Sequence, residues 1–173
     1  FKRYVSKQVV DELLGDDKKL KLGGEEREVT VLFSDIRGFT SMSEKLKAED
    51  VVKTLNNYLS DMIDIVFKYN GTLDKIIGDE LMIVYGAPLA GIDDTERAVQ
   101  TAIEMQRQIK IINERRTIDG LIPIKVGMGI NQGTVVSGNI GSRDMMDYTV
   151  IGDTVNLGAR LCSYASPDEI IVS

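Results

Sequence analysis

The sequence predicts an α+β fold: a ferredoxin-like βαββαβ core with an added C-terminal strand, helix and strand, its mainly antiparallel sheet covered by helices. Three observations predict it. Short apolar runs alternate with two long stretches whose apolar residues recur at helical spacing. Two of the short runs, 72–77 and 80–85, are separated only by Gly78-Asp79, a hairpin signature that implies antiparallel pairing. The resulting order is one in which two helices cover one face of a sheet.

Residues 1–27 precede this core. FKRYVSKQVVDELL carries Val5, Val9, Val10, Leu13 and Leu14 at near-helical spacing, and GDDKKLKLGGEERE then turns polar and charged. The segment reads as a helical lead-in and connector, with the main domain over 28–173. A strand is expected at 29–34, then a helix at about 44–69 with Leu55, Leu59, Met62, Ile63 and Val66 along one face. The hairpin follows, and in its first strand Lys75 is expected on the same face as Leu73 and Ile77. A second helix is expected at about 93–115, where Val99, Ala102, Ile103, Gln106 and Ile109 share a face, and then a strand at 124–130. Beyond a glycine-containing stretch and a polar loop at 142–147 come a strand at 148–151, a helix at about 154–165 capped by Asp153 or Thr154, and a last strand at 169–172.

Composition narrows the function. The chain has 173 residues, 43% hydrophobic and 28% charged, enough for a real core and unlike a disordered segment. A formal charge of −6 and the lack of a basic stripe exclude a nucleic-acid partner bound by phosphate neutralisation. With Cys162 as the single cysteine no intrachain disulfide forms, which fits a reducing, cytoplasmic setting. The total absence of histidine removes histidine metal sites, histidine general bases and Ser/His or Cys/His triads together. The longest apolar stretch, LMIVYGAPLAGI, is interrupted by Gly86 and Pro88 and is too short to span a bilayer. The chain opens on Phe1, so it is expected to be a piece of a larger protein, whose membrane anchoring stays open.

Asp35 and Asp79 each end a short apolar run, in LFSDIRGFTSMSE and LDKIIGDELMIVYG. If the strand 29–34 lies parallel to 72–77 with 80–85 between them, the two carboxylates meet. Such a pair is costly unless a proton or cation sits between them, and oxygen ligands favour magnesium or manganese. The turn Ile36 to Ser41 leads into a helix and reads either as a phosphate cradle or as a glycine turn capped by Ser41 or Ser43; beside a metal-binding Asp35 the cradle is the better reading. Lys75 is either a snorkelling strand lysine or a group facing a bound base or subunit interface. Asn156 and Arg160, four apart on a helix, point the same way. Cys162 on that helix reads as a small buried hydrophobe.

Four motifs, VTVLFSDIRGFTSMSE, GTLDKIIGDELMIVYGAP, VGMGINQGTVVSGNIGS and YTVIGDTVNLGARL, resemble in that order the catalytic domain of class III nucleotidyl cyclases, the adenylate and guanylate cyclase family, and most of all its bacterial adenylate cyclases. The lead-in also resembles the segment joining regulatory domains to such cyclases. The resemblance implies that Asp35, Asp79 and the Ile36 carbonyl hold two divalent metals, Mg2+ or Mn2+, and that Gly38, Phe39 and Thr40 contact the phosphates. It implies that Lys75 and Thr149 read the purine, Asn156 orients the ribose and Arg160 stabilises the transition state. Its sites form between two subunits, so a homodimer would share two. Because adenine N1 accepts a hydrogen bond that a lysine donates, ATP is the expected substrate, with cyclic AMP and pyrophosphate as products. The alternatives are a guanylate cyclase or, in another class, a non-catalytic nucleotide-binding or dimerisation module. Two departures stand out: the family's hairpin carrying a triphosphate lysine has no match up to Ser173, and Thr134 stands where some members have arginine. The domain over 28–173 is therefore expected to lack its last hairpin, and whether the chain is active without a segment after Ser173 stays open.

Overall fold

The computed structural model describes residues 22–142 and 144–173. The expected lead-in helix lies outside the described residues. In chain order the elements are β1 (Gly23–Ile36), α1 (Phe39–Ser43), α2 (Ala48–Lys68), β2 (Thr72–Ile77), β3 (Glu80–Tyr85), α3 (Asp94–Ile118), β4 (Val126–Gly141), β5 (Met146–Ile151), α4 (Asp153–Tyr164) and β6 (Ile170–Val172). The sheet runs β2-β3-β1-β4-β5, with β6 added to β4. All pairings are antiparallel except β4 with β6. The α+β reading with a mainly antiparallel sheet is what the chain adopts, and β3 lies between β2 and β1 as the sequence implied.

Several boundaries differ, each for a physical reason. β1 starts at Gly23, ahead of the boundary drawn at Glu28, because Gly23–Glu28 find backbone partners in Asn139–Thr134 of β4. For the same reason β4 continues through the glycine-containing stretch instead of stopping at Ile130. The helix expected at 44–69 begins only at Ala48, after a separate short α1 that the sequence reading did not include: Glu49 and Asp50 suit the N-terminus of α2, and Lys68 suits its C-terminus. Side-chain capping does not occur as expected. Gly38 precedes α1 and Gly152 precedes α4, neither helix has a side-chain cap, and the Thr154 hydroxyl donates instead to the Thr134 carbonyl at 2.7 Å.

The sheet has two different faces. One is covered by α2 and α3, where Leu32, Ile36, Met62, Leu81, Ile83, Met105, Ile109 and Ile130 form the main core. Each such side chain contributes about 2 kcal/mol by leaving water. The buried stripe on α3 is Ala98, Ala102, Met105 and Ile109, which leaves the expected Ile103 largely outside. On the other face Val29, Val31, Phe33, Met82 and Val84 pack with Cys162 of α4 and with Val135 and Val150. The far ends of β4 and β5 therefore curl back over this face. Gly24 sits opposite Gly138, where a Cβ would strike the facing strand at 2.1–2.6 Å, so the ribbon can pinch there. Among the described residues no helix is long and apolar enough to cross a membrane.

Candidate active site

Asp35 is the penultimate residue of β1 and Asp79 occupies the β2–β3 turn. Because β3 pairs with both β2 and β1, that turn lies beside the end of β1, and the Ile36 N–H donates to Asp79 Oδ2 at 3.2 Å. Partial burial, and then the hydrogen bond and charge of Asp35, push the Asp79 carboxyl up from 3.8 to about 6. Burial followed by the charge of Asp35 also raises neighbouring Glu80. Anionic oxygens thus crowd one corner of the sheet.

The donor set fits a hard divalent cation: two carboxylates and the adjacent Ile36 carbonyl, with no imidazole or thiolate. Among the described residues no cluster of three Asp, Glu, His or Cys forms, so a cation here would draw further ligands from phosphate oxygens and water, as magnesium commonly does. Gly38, Phe39 and Thr40 follow at once. Gly38 holds φ 70°, ψ 22°, a left-handed conformation that lets the chain turn sharply from the carboxylate corner into α1.

A side chain passed over in the sequence is central here. Arg37 Nη1 donates to Asp35 Oδ2 at 3.1 Å, and its Nη2 donates to the Cys162 carbonyl on α4. The guanidinium lies over Gly127, where any Cβ would collide with it. Arg37 therefore ties the carboxylate corner to the helix that carries Asn156 and Arg160. The signal was present: residues two apart at a strand end face the same way.

Lys75 and Thr149 meet, although β2 and β5 are opposite edges of the sheet. Lys75 Nζ donates to Thr149 Oγ1 at 3.1 Å, to Asp147 at 2.6 Å and to Asp74 at 3.1 Å. A bulge in β2 between Leu73 and Lys75 makes this possible. Leu73 stands opposite Ile83 of the main core, whereas Lys75 stands opposite Met82 on the other face. The expected sharing of a face by Leu73 and Lys75 fails for that reason: one extra residue reverses the alternation, and Lys75 keeps only Ile77 beside it. Asn156 and Arg160 are exposed on α4, and among the described residues neither has a side-chain partner. α4 itself is pressed onto the sheet through Gly158, where a Cβ would come within 2.7 Å of Val31. Cys162 is fully buried, and burial pushes its thiol up to about 12, which suits packing and not nucleophilic attack.

Comparison with known proteins gives a consistent grouping. The family model for the adenylate and guanylate cyclase catalytic domain matches residues 24–173. An adenylate cyclase of Anabaena cylindrica is 40% identical over 141 residues, covering 78% of this chain and 27% of that protein. The crystal structure of the adenylyl cyclase CyaB from P. aeruginosa superposes with a TM-score of 0.84 at 42% identity, covering 88% of this chain and 79% of that one. The crystal structure of the guanylyl cyclase Cya2 does so with a TM-score of 0.83 at 45% identity, covering 88% and 77%. The chain spans less than a third of the length of the curated relatives it matches.

Proposed function

This chain belongs to the adenylate and guanylate cyclase catalytic domain family, and from that premise we propose that it converts ATP to 3′,5′-cyclic AMP and pyrophosphate as a homodimer with shared sites. The observation that carries the choice of ATP is the Lys75–Thr149 contact. Lys75 can only donate, which suits the N1 acceptor of adenine and opposes the N1–H of guanine. The 45% identity to a guanylyl cyclase favours GTP as the rival substrate.

In this reading two divalent cations, Mg2+ or Mn2+, at Asp35, Asp79 and the Ile36 carbonyl would lower the pKa of the ribose 3′-hydroxyl and neutralise the triphosphate. Gly38, Phe39 and Thr40 line the turn nearest those phosphates. Arg160 holds charge that builds on the α-phosphoryl oxygens, and since a guanidinium does not lose its proton the contact is available at any working pH. Asn156, one helical turn before it, orients the ribose. The exposure of both side chains supports a site completed by a second copy. The short share of its relatives that the chain spans supports a regulatory domain elsewhere in the parent protein, and the lone buried Cys162 supports a cytoplasmic setting.

The test is a cyclase assay with ATP and with GTP, each with Mg2+ or Mn2+, on this chain and on a version extended past Ser173, at concentrations where each dimerises. Cyclic AMP as the main product is expected. Preferred turnover of GTP would overturn the substrate, and no cyclic nucleotide from either form in a dimeric sample would favour a nucleotide-binding module.

A further inference from the structure

The purine-reading pair has a third member. Asp74 is the extra residue of the β2 bulge, and its side chain is only 4% exposed. Both of its carboxylate oxygens lie 3.0 Å from Thr149 Oγ1, and Oδ1 lies 3.1 Å from Lys75 Nζ. An ammonium only donates and an ionised carboxylate only accepts. The Thr149 hydroxyl, held between them, therefore gives its single proton to Asp74 and accepts from Lys75. What remains for a ligand is one lone pair.

Lys75 and Thr149 consequently offer a donor beside an acceptor. Adenine presents the complement, N1 as acceptor and the N6 amino group as donor. Guanine presents the reverse, N1–H as donor and O6 as acceptor. Of the three partners of Lys75, Asp147 is the one at the surface, with 64% of its side chain exposed, and adenine N1 would take its place. Asp74 stays beneath, where burial raises its carboxyl and the Lys75 ammonium 3.1 Å away opposes that by favouring the ionised form.

We infer that Asp74 is a specificity-determining positioning residue: by holding the Thr149 proton it makes that hydroxyl an obligate acceptor and selects adenine over guanine. The inference rests on the cyclase reading above and names the residue that sets the polarity of its purine pocket.

Binding of 3′-deoxy-ATP and 3′-deoxy-GTP, which lack the attacking hydroxyl, tests it on the 173-residue chain with Mn2+. Asp74→Ala is expected to narrow the ratio of the two affinities by about 10-fold, because the freed hydroxyl can turn and donate to guanine O6. Asp74→Asn, whose amide can donate to the hydroxyl, should narrow it in the same direction and serves if the alanine variant does not fold. In a Thr149→Val background neither change should alter the ratio further. A general structural lesion would lower both affinities together. An unchanged ratio in a folded Asp74 variant, or equal narrowing without the Thr149 hydroxyl, would overturn the role of Asp74. Preference of the unmutated chain for the GTP analogue would instead overturn the ATP reading itself, before any substitution is made.

Discussion

Gly129 is where the smallest perturbation should have the largest reach. It sits in β4 directly beneath α4, and a Cβ built there lies 2.3 Å from the Cys162 nitrogen, 2.6 Å from the Gly158 oxygen and 2.8 Å from the Leu161 carbonyl carbon. Ordinary contact begins near 3.4 Å, and all three atoms are helix backbone, which cannot rotate away. In Gly129→Ala the helix must therefore retreat by about 1 Å, carrying Asn156 and Arg160 with it. Overpacking of this kind costs about 1–3 kcal/mol. For a domain of this size that is roughly 2–12 °C in melting temperature. A misplacement of about 1 Å costs on the order of 100-fold in rate. The assay is a thermal melt with cyclic AMP formation on the same sample. Gly133→Ala is the control, since its Cβ meets the Thr154 side chain, which can turn, and a smaller effect is expected. A Gly129→Ala protein that melts within about 1 °C of the original and keeps its full rate would refute the argument that α4 is seated by this contact.

The remaining predictions concern the carboxylate corner and the shared sites. Because Asp79 titrates near 6 in the folded chain against 3.8 ordinarily, the metal-free native state binds the extra proton, so its stability falls as pH rises from about 4 to 6. Asp79→Asn should flatten that slope by about 1 kcal/mol after solvent screening, and melting curves that stay parallel over this range would contradict it. Mn2+ affinity of the unmutated chain should weaken on acidification through the same window, measured by calorimetry. Mixing Asp79→Ala with Arg160→Ala protein should restore part of the activity, since one site of the heterodimer keeps both groups, and no recovery from a demonstrated heterodimer would count against shared sites.

Residue order alone determined a good deal of this protein. The βαββαβ order and the Gly78-Asp79 hairpin followed from alternation, turn chemistry and the rule that hairpin strands pair, all of which are local, whereas the meeting of Asp35 with Asp79 followed only on the condition that 80–85 pairs with 29–34, which the sheet meets. The i, i+4 spacing likewise placed Asn156 and Arg160 on one helix face. What tertiary structure decided is whatever depends on distant backbone. Strand ends at Gly23 and Gly141 were set by partners across the sheet, so polar and glycine-containing stretches remained strand where propensity favoured loop. The cap residues were displaced because the Thr154 hydroxyl found the Thr134 carbonyl on a neighbouring strand. Above all, the bulge at Asp74 and the curl of β4 and β5 brought opposite edges of the sheet into contact. No pattern along the chain encodes that meeting, since a bulge reverses the very period from which strand faces are read. Lys75, Thr149 and Asp74 could be singled out or overlooked as letters, but only the folded sheet makes them neighbours.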